Sequence, residues 1–340
     1  HANGEILQEG DRFVNSDFSN FLERISLEGA QLFYNGEVAQ LITSFFSEGG
    51  LLDKKALNLY HVAVRKPIMT QFNDTQIYSN PAPSVGGTLI IFLLRLIEEK
   101  KIKKIQINDL IQAMAVTNIA RKEICTDPNH EYQINELLKK EIFYRYLEKY
   151  STDEKNLKSD PSIPGKGCTT HVSVIDKDYN AASVTTTNGE GCGYILPDTG
   201  IMLNNMLGEA DLNPLGFHSW KHSMRLPTMI SPSIIMKEKQ PYIILGSGGS
   251  NRIRSAIVQV ICNCILKGMS IEEAILSPRL HLEGNKLYYE PGIDISNNDI
   301  PKDISLHPFE EQNLFFGGVN AVALSEGWSD QRRGGTYEII

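Results

Sequence analysis

Apolar residues recur at helical spacing through the first 150 residues of this chain. The first stripe, which forms one face of a helix, consists of Phe18, Phe21, Leu22 and Ile25. Asp17 stands where a side-chain N-cap is expected and Gly29 follows the stripe, so a helix is predicted between them. Similar stripes predict further helices over residues 38–46, 89–97, 107–121 and 134–150.

The pattern changes in the second half, where apolar and polar residues alternate over short runs. Residues 171–175 and 181–187 flank a polar turn, and this arrangement predicts a β-hairpin. If the two strands pair in register, Thr187 lies level with Thr169. Further strands are expected over residues 201–203, 230–236 and 242–245, and a helix is expected over residues 252–266.

The start of the predicted hairpin is the most informative chemical feature. Residues 151–167 are polar and rich in Ser, Asp, Lys, Pro and Gly, which predicts an exposed linker, and Cys168 and Thr169 follow it directly. A threonine hydroxyl needs a base, and the α-amine of an N-terminal threonine can serve as one because its pKa is about 8. The sequence therefore suggests cleavage between Cys168 and Thr169, while an ordinary strand start is the alternative.

A glycine run separates the predicted strand 242–245 from the helix that follows. Such a run exposes backbone amides at a helix N-terminus, where negative charge is favoured. A phosphate loop would close with Lys followed by Ser or Thr, whereas Asn251, Arg252 and Ile253 stand there instead. An oxyanion hole is therefore the better functional interpretation, and a plain tight turn is the alternative.

Composition and charge argue against several other classes of protein. A net charge of −8 argues against a nucleic-acid partner, and no run of 18 apolar residues indicates a membrane span. The five cysteines show no metal-binding spacing, so a reducing, cytoplasmic setting is slightly favoured over a periplasmic or secreted one. His218 and His222 have a spacing that could hold a metal, but Pro214 and Gly216 predict a loop there. We expect neither a metal nor a cofactor.

Several motifs occur in one order along nearly the whole chain. In the second half they cover residues 169–176, 200–205, 231–233, 246–253 and 277–279, and upstream they cover residues 33–36, 49–52 and 81–87. Together they resemble the γ-glutamyltranspeptidase (glutathione hydrolase) family of N-terminal-nucleophile hydrolases. This resemblance implies an α+β fold, a four-layer αββα sandwich, which is incomplete here at the N-terminus.

The resemblance also implies an enzyme made as a precursor. Members cut themselves before the Thr-Thr-His threonine into a large and a small subunit that remain paired, here residues 1–168 and 169–340. The implied reaction is attack on a γ-glutamyl amide such as glutathione. Water or an acceptor amine then resolves the glutamyl-threonyl intermediate.

The family's catalytic residues map onto matching positions of this sequence. Thr169 corresponds to the nucleophile and Thr187 to the threonine whose hydroxyl supports it. Gly248, Gly249 and Ser250 occupy the oxyanion loop. An ungapped alignment favours the amides of Gly249 and Ser250, while matching the glycine pair favours those of Gly248 and Gly249.

The substrate-binding positions match the family less closely. Glu209 corresponds to the acidic residue for the substrate's α-amino group, and Asn188 or Glu190 could replace a missing asparagine. Thr228 and Met229 stand where a pair of serines binds the α-carboxylate, so one hydroxyl remains. The part of the large subunit that carries the carboxylate-binding arginine is also expected to be lacking.

Three functions remain open at this point. The first is γ-glutamyl hydrolysis or transfer. The second keeps the chemistry but changes the substrate, as in a glutaryl or cephalosporin acylase or a poly-γ-glutamate hydrolase. The third is an inactive, truncated relative that stays one uncut chain.

Overall fold

The structure is a computed structural model that describes residues 7–8, 10–50, 52–124, 133–150, 168–213, 215–295, 300–301 and 303–340. The predicted linker 151–167 and Cys125 lie outside these residues. The α-helices are α1 (Ser16–Glu28), α2 (Gln31–Tyr34), α3 (Glu37–Phe45), α4 (Lys54–Leu59), α5 (Val85–Glu99), α6 (Ile107–Ile124), α7 (Lys140–Tyr150), α8 (Arg252–Lys267) and α9 (Ile271–Leu276).

The β-strands complete the described secondary structure. They are β1 (Ile68–Phe72), β2 (Thr75–Ser79), β3 (Thr169–Ile175), β4 (Ala181–Thr187), β5 (Ile195–Leu196), β6 (Ile201–Met202), β7 (Ser233–Lys237), β8 (Gln240–Gly248), β9 (Leu280–Glu283), β10 (Lys286–Tyr289), β11 (Ser305–Pro308), β12 (Gly318–Val322) and β13 (Gly327–Trp328). The predicted hairpin 171–187 and the strand, glycine turn and helix that follow are confirmed.

The chain forms two compact units. The first comprises His1–Val64 and Gly191–Asn204, and the second comprises Arg65–Glu190 and Asn205–Ile340. The expected subunit boundary at residue 168 does not coincide with a boundary between these units, and it stays a proposal.

The first unit contains α1 to α4 and the short strand pair β5–β6. Its core includes Leu32, Val38 and Ile42. The predicted helix over the first stripe is confirmed, but its N-cap is Asn15 rather than Asp17, because Asn15 Oδ1 accepts a hydrogen bond of 3.0 Å from the Phe18 amide. Asp17 lies in the first turn, where a negative charge favours the helix.

The second unit is built on an antiparallel six-stranded sheet in the order β1-β2-β7-β8-β12-β13. Side chains alternate across β8, so Ile243 and Leu245 join the core formed with α5 and α8. On the opposite face lies the β3–β4 hairpin, where Ser183 donates to the Leu245 carbonyl over 3.1 Å. A helical layer, a sheet and a second β layer thus stack in this unit.

Two predicted elements differ from the structure. The predicted helix 134–150 is divided into a 3₁₀ segment, Ile134–Leu138, and α7, because Lys139 between them has extended backbone angles. The predicted strand 230–236 begins only at Ser233, since Pro232 has no amide to donate to a strand ladder.

A buried ion network holds the end of the chain against β12 and the sheet β11-β10-β9. Arg279 pairs with Asp330 over 2.6 Å, and Arg332 pairs with Glu290 over 2.6 Å. All four side chains are 1% exposed or less. Asp330 also accepts a hydrogen bond of 3.0 Å from the Val319 amide, so the network ties the segment after β13 to β12.

No helix among the described residues has the length and apolar character needed to cross a bilayer.

We expect Arg279→Met to lower the free energy of unfolding by about 3–5 kcal/mol, because it leaves the carboxylate of Asp330 buried with one partner fewer. Lys139→Met is the control, since it breaks an exposed pair with Glu136 and should cost less than about 1 kcal/mol. Urea unfolding of both variants measures the difference. Equal decreases in the free energy of unfolding would show that the buried network stabilises the fold no more than the exposed ion pair does.

Candidate active site

Thr169 and Thr187 face each other at the open end of the hairpin. Thr169 is the first residue of β3, and the strand register places it directly opposite Thr187, the last residue of β4. Thr169 Oγ1 donates to Thr187 Oγ1 over 3.1 Å, and the Gly189 amide donates to the same oxygen over 3.0 Å. The predicted juxtaposition is confirmed, and it holds a half-buried hydroxyl in one position.

The residue before Thr169 is also fixed by this part of the chain. The Cys168 amide donates to the Gly189 carbonyl over 2.5 Å, and the thiol contacts the Glu190 carbonyl at 3.7 Å. The Cys168 side chain is exposed. The peptide bond between Cys168 and Thr169 therefore runs beside residues 189 and 190, next to the paired hydroxyls.

His171 is buried between the hairpin and β8. Its ring lies within 2.7 Å of Thr185 Oγ1 and 2.8 Å of Ser173 Oγ, and it packs against Gly246. Burial lowers the pKa of His171 to about 4. The imidazole is therefore neutral at physiological pH, and both of its nitrogens are already engaged.

The glycine turn begins beside Thr169. Gly248 ends β8 and packs directly against the Thr169 backbone, where a β-carbon would collide with the carbonyl oxygen. Gly249 and Ser250 lie beyond the strand with positive φ angles of 128° and 52°. Among the described residues, the amides of Gly249 and Ser250 form no hydrogen bond. Gly248 is instead paired with Gly318 in the sheet, so the geometry favours Gly249 and Ser250 as the available amides.

Three of the predicted polar residues surround Gly189. The Asn205 amide donates to the Asn188 carbonyl over 3.2 Å, and Asn205 Oδ1 accepts from the Glu190 amide over 2.7 Å. The Glu209 carboxylate lies against Gly189, where a β-carbon would displace it and the Asn205 side chain. Burial, followed by the charges of Asp211 and Glu190, raises the pKa of Glu209 to about 7. A carboxyl group that titrates near neutrality thus lies close to Thr187.

Sequence reasoning missed Asp211. Its carboxylate accepts hydrogen bonds from the Ser250 hydroxyl and, over 2.8 Å, from the Asn251 side chain. It therefore joins the loop that carries Glu209 to the glycine turn. Its spacing of two residues from Glu209 was a visible signal, but the partner lies about 40 residues away in sequence.

Thr228 lies in a different set of contacts. Its carbonyl accepts a hydrogen bond of 3.0 Å from the Val85 amide, and its hydroxyl accepts one of 3.2 Å from the Ile230 amide. Neighbouring Met229 is 5% exposed and belongs to the core. Within the described ranges, no hydrogen bond joins Thr228 to the residues around Thr169, so the roles of all these residues stay predictions.

No three His, Cys, Asp or Glu side chains are grouped for metal binding in the part of the chain that the structure describes. His218 and His222 lie in an irregular loop, as the sequence predicts.

The model of the family described as gamma-glutamyltranspeptidase matches residues 1–340. The chain belongs to the γ-glutamyltranspeptidase family. It is 26% identical to the glutathione hydrolase proenzyme of Bacillus subtilis strain 168, over 98% of this chain and 63% of that protein. It is 30% identical to the glutathione hydrolase proenzyme of Escherichia coli K12, over 82% of this chain and 52% of that protein.

Other proteins that the chain resembles carry different names. The acylase ACY 1 proenzyme of Pseudomonas sp. strain V22 is 28% identical, over 95% of this chain and 60% of that protein. The solved cephalosporin acylase of Bacillus halodurans shares the fold, with a TM-score of 0.80 and 20% identity over 97% of this chain and 63% of that one. The α+β fold is therefore shared with this acylase, consistent with the αββα type. The chain spans between about half and two thirds of the length of these γ-glutamyltranspeptidase relatives.

We expect Gly248→Ala to lower the free energy of unfolding by about 1–3 kcal/mol, because the added methyl group meets the Thr169 carbonyl rather than a movable side chain. Gly208→Ala is the matched control, since a methyl group there has nothing within 4 Å. Urea unfolding compares the two variants. Indistinguishable curves would contradict the close packing of β3 on β8.

Proposed function

We propose that this chain carries the catalytic centre of a γ-glutamyl hydrolase or transferase that acts on glutathione-like amides and uses Thr169 as its nucleophile. One observation carries the proposal: the Thr169 hydroxyl is held by Thr187 at a strand start that packs against a turn with two available amides. Membership of a family of hydrolases and transferases supports the same chemistry.

The first step in this proposal is self-cleavage. Thr169 Oγ attacks the carbonyl carbon of Cys168, the bond from that carbon to the Thr169 nitrogen breaks, and the hydroxyl proton passes to the departing nitrogen. The products are an ester and a free α-amine. Water then hydrolyses the ester, which leaves a carboxylate on Cys168 and restores the Thr169 hydroxyl.

Turnover then uses the amine that cleavage has released. This amine takes the proton from Thr169 Oγ, and the oxygen attacks the γ-carbonyl of the donor. The resulting oxyanion accepts hydrogen bonds from the amides of Gly249 and Ser250, which need not reorganise. The proton passes to the leaving amine, and water or an acceptor amine resolves the ester on Thr169.

Donor recognition in this proposal depends on charge. The ionised carboxylate of Glu209 binds the α-ammonium of the donor, with Asn188 or Glu190 beside it. The Thr228 hydroxyl faces the α-carboxylate. After cleavage, residues 1–168 and 169–340 remain together as a large and a small subunit.

A second candidate function keeps this chemistry but uses a donor that lacks the α-ammonium group, as a glutaryl acylase does. A poly-γ-glutamate hydrolase is a variant of this candidate with an extended donor. The similarity to the acylase ACY 1 proenzyme of Pseudomonas sp. strain V22 supports this candidate. A glutaryl group keeps the terminal carboxylate of a γ-glutamyl group and lacks only its α-ammonium, so the discriminating contact is the one proposed for Glu209. Turnover of γ-glutamyl-anilide and glutaryl-anilide separates the two. A strong preference for glutaryl-anilide would assign the acylase activity and remove the role of Glu209.

We expect Thr169→Ala to remain one chain of 340 residues and to lose activity by about 10⁴-fold or more, because both nucleophile and base are lost. The unaltered chain should separate on a denaturing gel into pieces of 168 and 172 residues. Mass spectrometry of both pieces fixes the position of the cut.

Thr170→Ala is the control for this experiment, since it alters the exposed neighbouring threonine and should still cleave. Cleavage of Thr169→Ala at the same bond would refute the assignment. An unaltered chain that stays whole and does not react at Thr169 with an amide-mimicking electrophile would assign it to the inactive relatives.

We expect donor binding to strengthen as the pH rises through about 7, because the pKa of Glu209 is raised to that value and only the carboxylate binds an ammonium. The KM for γ-glutamyl-anilide should rise about fivefold between pH 7 and pH 6. Glu209→Gln should raise KM by about 10–100-fold and remove this step. Glu238→Gln, in the exposed turn between β7 and β8, is the control, and an unchanged pH profile in Glu209→Gln would contradict the assignment.

A further inference from the structure

Asp211 connects two parts of the candidate site that are distant in sequence. One oxygen of its carboxylate accepts the hydrogen bond of the Ser250 hydroxyl, and the other accepts one of 2.8 Å from Asn251 Nδ2. Both oxygens are therefore engaged by consecutive residues of the glycine turn. Asp211 itself follows Glu209 by two residues, so the carboxylate ties the Glu209 loop to that turn.

A partly buried arginine holds this connection in place. Arg121, on α6, donates from Nη1 to Asn251 Oδ1 over 2.9 Å and from Nη2 to the Asp211 carbonyl over 3.1 Å. The guanidinium of Arg121 thus contacts both Asn251 and Asp211, and it anchors these two residues to a helix of the core. The turn and the loop are fixed relative to α6 as well as to each other.

The turn needs this support because of one residue. Ser250 has φ +52°, in the left-handed region that favours glycine, yet it carries a side chain. A serine remains in such a conformation only if other contacts favour it. The hydrogen bond from its hydroxyl to Asp211 is such a contact, and it is made by the residue that carries one of the two available amides.

We propose that Asp211 is a positioning residue that keeps the Gly249 and Ser250 amides aligned for the oxyanion. This inference rests on the proposed function of the Thr169 site. Asp211 does not touch the reacting atoms in this scheme, and it acts through the Ser250 hydroxyl and the Asn251 side chain.

The position of Asp211 gives it a second, separable effect. Glu209 is faced by the charges of Asp211 and Glu190, and both raise its pKa. Asp211 is in turn faced by the guanidinium groups of Arg121 and Arg252. Removal of the Asp211 charge should therefore move the KM pH profile to lower pH, an effect that a purely structural role would not produce.

The test is a double-mutant cycle with the full chain, in which γ-glutamyl-anilide is the substrate. Asp211→Asn should lower kcat by about 10–100-fold, because one acceptor oxygen and the charge are lost. When it is combined with Ser250→Gly, the further loss caused by Asp211→Asn should be about tenfold smaller, since glycine adopts a positive φ without an anchor. Asp178→Asn, in the exposed turn of the β3–β4 hairpin, is the matched control.

The outcomes separate this inference from the proposed function. If the unaltered chain neither cleaves itself nor turns over the anilide, both fail together. A second result is an active chain in which Asp211→Asn lowers kcat by the same factor whether residue 250 is Ser or Gly. That result, or an unchanged kcat and pH profile in Asp211→Asn, overturns only the role of Asp211. A smaller loss in the Ser250→Gly variant together with the shifted pH profile establishes it.

Discussion

The close approach of the β3 backbone to β8 is the constraint on which the candidate site depends. A β-carbon at position 246 would enter the His171 ring, and one at position 248 would meet the Thr169 carbonyl. Glycine at both positions lets the hairpin lie flat on the sheet, with the start of β3 beside the end of β8. Thr169 and the glycine turn are neighbours because these two strand ends coincide.

The polar groups of the site form one connected set around that contact. Gly189 donates to Thr187 and packs against Glu209, while Asp211 reaches the turn at Ser250. Thr187 Oγ1 and the Asp211 carboxylate each have two hydrogen-bond partners, so each of them joins two other residues of the site. The raised pKa of Glu209 has a separate cause, namely its burial and the charges of Asp211 and Glu190.

Local patterns in the sequence predicted the elements that carry the site. Alternation gave the hairpin and the pairing of Thr169 with Thr187, and the glycine run gave the turn before α8, because both depend on neighbouring residues alone. The cap of α1 was misassigned because Asn15 and Asp17 are both good caps and only the backbone geometry decides between them. Asp211 was missed since its partners come from α6 and from the turn, and contacts between distant segments leave no periodic signal.

β3 and β4 pair over seven residues, beginning with Thr169 opposite Thr187, and this pairing has a consequence for cleavage of the bond before Thr169. A newly made chain end ordinarily frays, and its terminal amine samples many orientations. Here the end would start inside a paired strand, with Thr187 alongside it and the sheet beneath it. The molecule could thus gain a charged terminus without losing local order, so the cut would alter its chemistry and leave its architecture as it was.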